Sequence, residues 1–144
     1  MGAETISEVL ASTLESVDFA EAAVLREAVE LGFEDDDLHK IGIAVRECMV
    51  NAVVHGNRYN SRKKVHLTIS RTADRLEIVV ADEGDHFDLS NLPDPLAEEN
   101  LMRQSGRGLL MMQAFMDEFQ VRPSQPQGTE VILVKYAAKA GQGG

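Results

Sequence analysis

Tryptophan is missing from this chain of 144 residues, aromatic residues make up only 5% of it, and cysteine occurs once, at Cys48. A lone cysteine excludes an internal disulfide framework and a cysteine-rich zinc site, and it fits a reducing compartment. Positive charge is also scarce, because fourteen Lys and Arg stand against twenty-four Asp and Glu, a net charge of −10. That is the wrong sign for a broad phosphate-neutralising surface, so neither direct nucleic-acid binding nor adhesion to an anionic membrane is expected. The chain has no apolar run long enough for a membrane-spanning helix. Its first residues lack the basic and apolar regions of a secretory signal, and Ile6 stands where myristoylation requires Ser or Thr. A cytoplasmic location is the expectation.

What the chain does contain is ordinary for a globular protein, with 44% hydrophobic and 26% charged residues. At about 150 residues per domain it has room for one core. We expect one domain over 1–138 and a glycine-rich, disordered tail over 139–144.

Near the N-terminus Ile6, Val9, Leu10, Leu14 and Val17 fit a helical stripe, while Thr5, Val9 and Thr13 also fit a strand; periodicity alone favours a helix. Asp18 to Leu31 reads as a helix with Gly32 at its C-terminal cap. The acidic run Glu34 to Asp37 reads as N-capping and dipole stabilisation of a second helix, whose apolar positions are Leu38, Ile41, Val45, Cys48, Met49 and Ala52. That helix ends near His55-Gly56-Asn57, and the basic stretch Arg58 to Lys64 reads as a solvated loop. A β-hairpin follows, Val65 to Ser70 and Leu76 to Ala81, turning at Ala73-Asp74. Gly84 to Gly108 loses periodicity, carries Pro93 and Pro95, and is long for a passive connection, as a lid or a disordered insert would be. Leu109 to Phe119 is helical in pattern, a strand begins within Phe119 to Val121, and Gly128 opens a strand through Val131 to Val134.

Glu47 and Asn51 stand one helical turn apart off the apolar stripe, with His55 one turn further on. A carboxylate and a carboxamide so placed suit a magnesium–nucleotide site, the amide oxygen ligating a hard cation and the carboxylate taking a proton from an attacking hydroxyl. A solvated pair would show the same spacing. Asp82-x-Gly84 ends an apolar strand, where a partly buried carboxylate needs a donor; an adenine amino group is one and a strand-ending turn supplies another. Gly106-Arg107-Gly108 opens a helix and offers backbone N–H groups, a positive dipole end and a cation to a polyphosphate, or is an ordinary loop. Cys48, Met111, Met112 and Phe115 read as core residues. His39, His55 and His66 are too scattered for a metal cluster, and no zinc is expected.

Taken in order, "IGIAVRECMVNAVVHGNRYN", "IVVADEGDHFD", "SGRGLLMMQAFMDEF" and "GTEVILVKY" resemble the anti-sigma factor serine/threonine kinases of the histidine-kinase-like ATPase superfamily, from about Thr5 to Tyr136. The resemblance implies a Bergerat-type α/β fold, a two-layer sandwich of helices on a mixed, mostly antiparallel sheet. It also turns the N-terminal stretch into a strand. By the same resemblance, Glu47 matches the general base, Asn51 the Mg2+ ligand, Asp82 the adenine-reading carboxylate and Gly84 the turn beside it. Gly106 and Gly108 match the phosphate-lid glycines, with Arg107 between them, and Thr129 matches the hydroxyl near adenine. The implied cofactors are ATP and Mg2+. The implied partners are a sigma factor or comparable regulator and an antagonist phosphorylated on Ser or Thr, with a homodimer left open.

One position departs from the pattern. The family's first glycine box reads Asp-x-Gly-x-Gly, and here His86 replaces the second glycine. A side chain there narrows the nucleotide mouth or points into solvent, and the first case favours a non-catalytic module that regulates by binding alone.

Overall fold

The computed structural model describes residues 4–84 and 108–137. The expected lid, with Gly106, Arg107 and His86, and the expected C-terminal tail lie outside the described residues. Among the described residues five strands form one sheet: β1 (Glu4–Ala11), β2 (Lys64–Arg71), β3 (Arg75–Ala81), β4 (Glu118–Pro123) and β5 (Thr129–Tyr136), in the order β1-β2-β3-β5-β4. Three helices among the described residues accompany it, α1 (Leu14–Glu30), α2 (Asp35–Val50) and α3 (Gly108–Phe115), and α2 runs on into a π-helical segment, Asn51–Gly56.

Alternation dictates the layering. Val65, Leu67 and Ile69 on β2, Leu76, Ile78 and Val80 on β3, and Val131 and Leu133 on β5 project to one face and are buried. They meet Val17, Ala20, Val24 and Ala28 of α1, Ile41, Val45, Cys48 and Met49 of α2, and Met112 of α3. At roughly 1.5–3 kcal/mol for each fully buried aliphatic side chain, this interface holds the two layers together. The expected core positions Cys48 and Met112 are fully inside it, while Met111 and Phe115 are half-buried.

Local signals account for the helix ends. Thr13 caps α1, its hydroxyl accepting the Ser16 N–H at 3.3 Å. Gly32, at φ +85°, donates to the Val29 carbonyl and Phe33 to that of Ala28, which closes α1 in a Schellman motif. Asp35, Asp36 and Asp37 lie in the first turn of α2 as the dipole argument requires, but Glu34 at the N-cap makes no side-chain capping bond.

Three expectations are corrected. The N-terminal stretch is a strand, as the resemblance implies and against the reading from periodicity alone, because its backbone pairs with all of β2; Ile6 and Leu10 lie opposite Ile69 and Val65, whereas Val9, part of the supposed helical stripe, is 64% exposed. The sheet is not mixed, since every pair among the described strands is antiparallel. The last helix stops at Phe115, and Phe119 instead pairs with Leu133 in β4.

Candidate functional site

Along β3, residues 76, 78 and 80 face the helices, and the same parity carries Asp82 to that side just beyond the strand end. Asp82 is buried, with 7% of its surface exposed, so its carboxylate needs donors. Oδ1 accepts the Gly84 N–H at 2.9 Å and the Thr129 N–H at 3.1 Å, while the Asp82 N–H donates to the Thr129 carbonyl at 3.0 Å. Two amides on different segments therefore fix the carboxylate's orientation.

Three glycines let neighbouring backbone close tightly around it. A Cβ on Gly56 would come within 2.4 Å of Asp82 Oδ2, one on Gly84 within 2.0 Å of the Gly56 carbonyl oxygen, and one on Gly128 within 1.9 Å of the Asp82 carbonyl oxygen. Gly128 also has φ +101°, which a side chain disfavours. The end of the π-helical segment, the turn after β3 and the start of β5 thus converge on one carboxylate.

The widened helical turn places the upper wall. The Asn57 N–H donates to the Ala52 carbonyl at 2.8 Å, five residues back, and Tyr59 to Val53 at 2.9 Å. The Asn57 bond is of the π type, which shifts the helix phase after Asn51 and often marks functional sites, whereas the Tyr59 bond spans six residues and closes the segment beyond it. Glu47 and Asn51 keep their one-turn spacing and are half-buried, but His55, expected to extend their line, lies beyond the phase shift and is exposed. Among the described residues no hydrogen bond or ion pair holds the Glu47 or Asn51 side chain, in contrast to the neighbouring Arg46, which binds Asp18 and Glu21 at 2.9 and 2.8 Å. Cys48, one residue after Glu47, is buried, and desolvation together with the Asp82 charge pushes its thiol up, so it stays protonated and unreactive. The electrostatic influence of Asp82 on Cys48 and its steric contact with Gly56 put the Glu47–Gly56 segment over the end of β3.

Asn57 belongs to the His55-Gly56-Asn57 stretch of the most specific part of the resemblance, but sequence reasoning gave it no role of its own. It is 1% exposed, and its amide nitrogen donates to the Ser12 hydroxyl and to the Lys64 carbonyl, both at 2.9 Å, while its oxygen accepts the Glu83 N–H at 2.8 Å. One side chain so joins the end of β1, the start of β2 and the turn that carries Asp82. The following residue, Glu83, accepts from His66 at 2.6 Å and from the Lys64 N–H at 3.0 Å, which lowers its pKa below the usual carboxylate range. Asn57→Ala is expected to cost about 2–4 kcal/mol, because the buried Ser12 hydroxyl and the part-buried Lys64 carbonyl and Glu83 N–H lose a partner at once. Urea denaturation of both proteins checks this; a loss under about 0.5 kcal/mol would show that water replaces the amide.

Of the expected site residues, Asp82, Gly84 and Thr129 form one hydrogen-bonded unit, with Glu47 and Asn51 on the helical segment above it. Thr129 contributes through its backbone N–H and carbonyl. Gly108 heads α3; Gly106 and Arg107 lie outside the described residues. Gly56 and Asn57 could have been suspected from their place directly after the Glu47–Asn51 turns, but nothing in the sequence singles out Ser12. No group of three or more His, Cys, Asp or Glu among the described residues could hold a metal ion by itself, so a cation here would need further oxygens from a ligand or from water.

Residues 10–135 match the family model described as the histidine kinase-like ATPase domain. The serine-protein kinase RsbW of Bacillus subtilis (strain 168) is 33% identical over 115 residues, which cover 76% of this chain and 71% of that protein. The anti-sigma F factor of Oceanobacillus iheyensis is 29% identical over 137 residues, 94% of each chain, and that of Bacillus subtilis (strain 168) is 29% identical over 85% of each. On the match to the domain model and the identity to these kinases, the chain belongs to the anti-sigma factor serine/threonine kinases of the histidine-kinase-like ATPase superfamily.

Proposed function

We propose that this protein is an ATP-dependent serine/threonine kinase that also acts as an anti-sigma factor, holding a sigma factor or comparable regulator and phosphorylating an antagonist in a partner switch. The observation that carries the reading is the Asp82 carboxylate, buried and oriented by two backbone amides, with Gly56, Gly84 and Gly128 packed around it so closely that none could carry a side chain. An oriented, buried acceptor at the end of an apolar strand suits the exocyclic amino group of adenine, and the backbone of Thr129, the residue matched to the hydroxyl near adenine, bonds that same aspartate. The donor set also fits magnesium, since Asn51 offers a neutral oxygen ligand and phosphates would supply others.

In this reading Asp82 and Thr129 would hold the base and Asn51 would be a ligand of Mg2+. Gly106, Arg107 and Gly108 would supply backbone amides and a cation to the phosphate chain. Mg2+, when bound, would supply neutralisation of phosphate charge. Glu47, half-buried and with no bond to a described residue, accepts the proton of the Ser or Thr hydroxyl. No helix among the described residues is long and apolar enough to cross a membrane, and we place the protein in the cytoplasm. Radiolabelled ATP incubated with the chain and each candidate antagonist tests the reading. Label on a serine or threonine of the antagonist is the expected result; nucleotide binding without transfer to any of them would leave a module that regulates by binding alone.

A further inference from the structure

Four of the chain's fourteen basic residues, Arg58, Arg62, Lys63 and Lys64, fall between positions 58 and 64, with no acidic residue among them, in a chain of net charge −10. Arg71, Arg75 and Arg122 bind carboxylates, as Arg46 does. By contrast, the exposed guanidinium groups of Arg58 and Arg62 have no such partner among the described residues. The exposed Tyr59 lies between them, with 52% of its surface accessible.

The loop is nevertheless firmly held. Tyr59 N–H donates to Val53, Asn60 N–H to Asn57 and Lys63 N–H to Asn60, at 2.9, 2.9 and 3.0 Å, and Arg62 N–H donates to the Asn60 side chain at 2.9 Å. The Lys63 carbonyl accepts from Ser12 and the Lys64 N–H donates to Glu83. Arg58 and Tyr59 have φ of 52° and 58°, a left-handed conformation that side chains disfavour and that persists only where the surroundings impose it. A fixed backbone presenting the Arg58 and Arg62 guanidinium groups loses little conformational freedom when it binds. Asn57, next to Arg58, also bonds the turn that carries Asp82, so this surface borders the candidate site.

We propose that the segment Arg58–Lys64 is a docking surface for an acidic polypeptide segment of the protein the kinase acts on. The identity of that partner rests on the kinase reading; the preference for an acidic chain rests on the loop itself. An acidic partner is repelled by most of this surface and attracted here, so the loop would fix its orientation as well as its affinity.

The test uses the full chain and a fluorescein-labelled peptide of alternating Glu and Ser, with its Gln–Ser counterpart and a single-stranded oligonucleotide as comparators. Fluorescence anisotropy is expected to show the acidic peptide binding the parent protein and weakening with added salt. The double substitution Arg58→Glu, Arg62→Glu should weaken it by at least about tenfold, while Arg26→Glu, at an exposed position on α1, should leave it unchanged. Calorimetry with ATP on the same proteins should show no change between parent and double variant. Equal binding of the acidic peptide by parent and double variant, equal binding of the neutral peptide, tighter binding of the oligonucleotide, or no binding of the acidic peptide by the parent would each overturn the proposal. Acidic-peptide binding that depends on Arg58 and Arg62 in a protein that takes no ATP would refute the kinase reading and leave the surface standing.

Discussion

Glu47→Gln is expected to lower phosphotransfer to a protein substrate by about 10²-fold or more while leaving ATP affinity within about twofold. The substitution keeps the size of the side chain and removes its capacity to take a proton. Glu47 makes no hydrogen bond or ion pair with a described residue, so the change breaks no contact that would confuse the result. It lies one turn before Asn51 on a helix whose opposite side is packed in the core through Cys48 and Met49, which fixes the direction it faces. Single-turnover transfer measured alongside calorimetry separates the two effects. Transfer at the parental rate would make Glu47 a solvated surface carboxylate and remove it from the chemistry.

Gly84→Ala carries the second large effect, on folding as well as binding. Its Cβ would stand 2.0 Å from the Gly56 carbonyl oxygen, a backbone atom that cannot swing aside as a flexible side chain can. Relieving that overlap requires the turn after β3 and the end of the π-helical segment to separate, which would also pull away the Gly84 N–H that orients Asp82. The expected cost is about 3 kcal/mol or more, with a fall in Tm of about 10 °C and loss of measurable nucleotide binding. Gly32→Ala is the informative control. At φ +85° with nothing near the added Cβ, it incurs only backbone strain of about 1–2 kcal/mol and should leave nucleotide binding intact. If Gly84→Ala proved as mild as Gly32→Ala, the close approach of the two segments would not be a constraint.

The contrast between these glycines shows what the sequence could disclose. Gly32 was legible because a helix C-cap is a local event, set by residues within one turn of it. Asp82 and Gly84 were visible as a strand-ending motif, but the convergence of Gly56, Gly84 and Gly128 depends on bringing together segments far apart in the chain, and no local pattern records that. Strand β1 was misread by periodicity for a related reason: Ile6, Val9 and Leu10 satisfy a helical spacing, and only pairing with β2 decides that Val9 faces outward. Asn57 is the clearest case. A polar residue after a helix-ending glycine reads as a loop residue, and its burial follows from the closure of Ser12, Lys64 and Glu83 around it. Glu47 and Asn51 were legible because α2 is regular up to Val50; the loss of phase that separates His55 from them begins with the π-type bonding that follows, which spacing does not encode.

The central claim is that Asp82 reads the adenine of ATP, and calorimetric titration of Mg-ATP into the parent chain and into Asp82→Asn tests it most directly. Asparagine keeps an oxygen able to accept the Gly84 and Thr129 amides, so the fold should persist, but it replaces the second carboxylate oxygen with a donor that opposes the adenine amino group. The account predicts saturable binding to the parent and a loss of at least about tenfold in Asp82→Asn, because a recognition hydrogen bond becomes a donor–donor clash. Equal affinity in two folded proteins, or no binding of Mg-ATP by the parent, would contradict it.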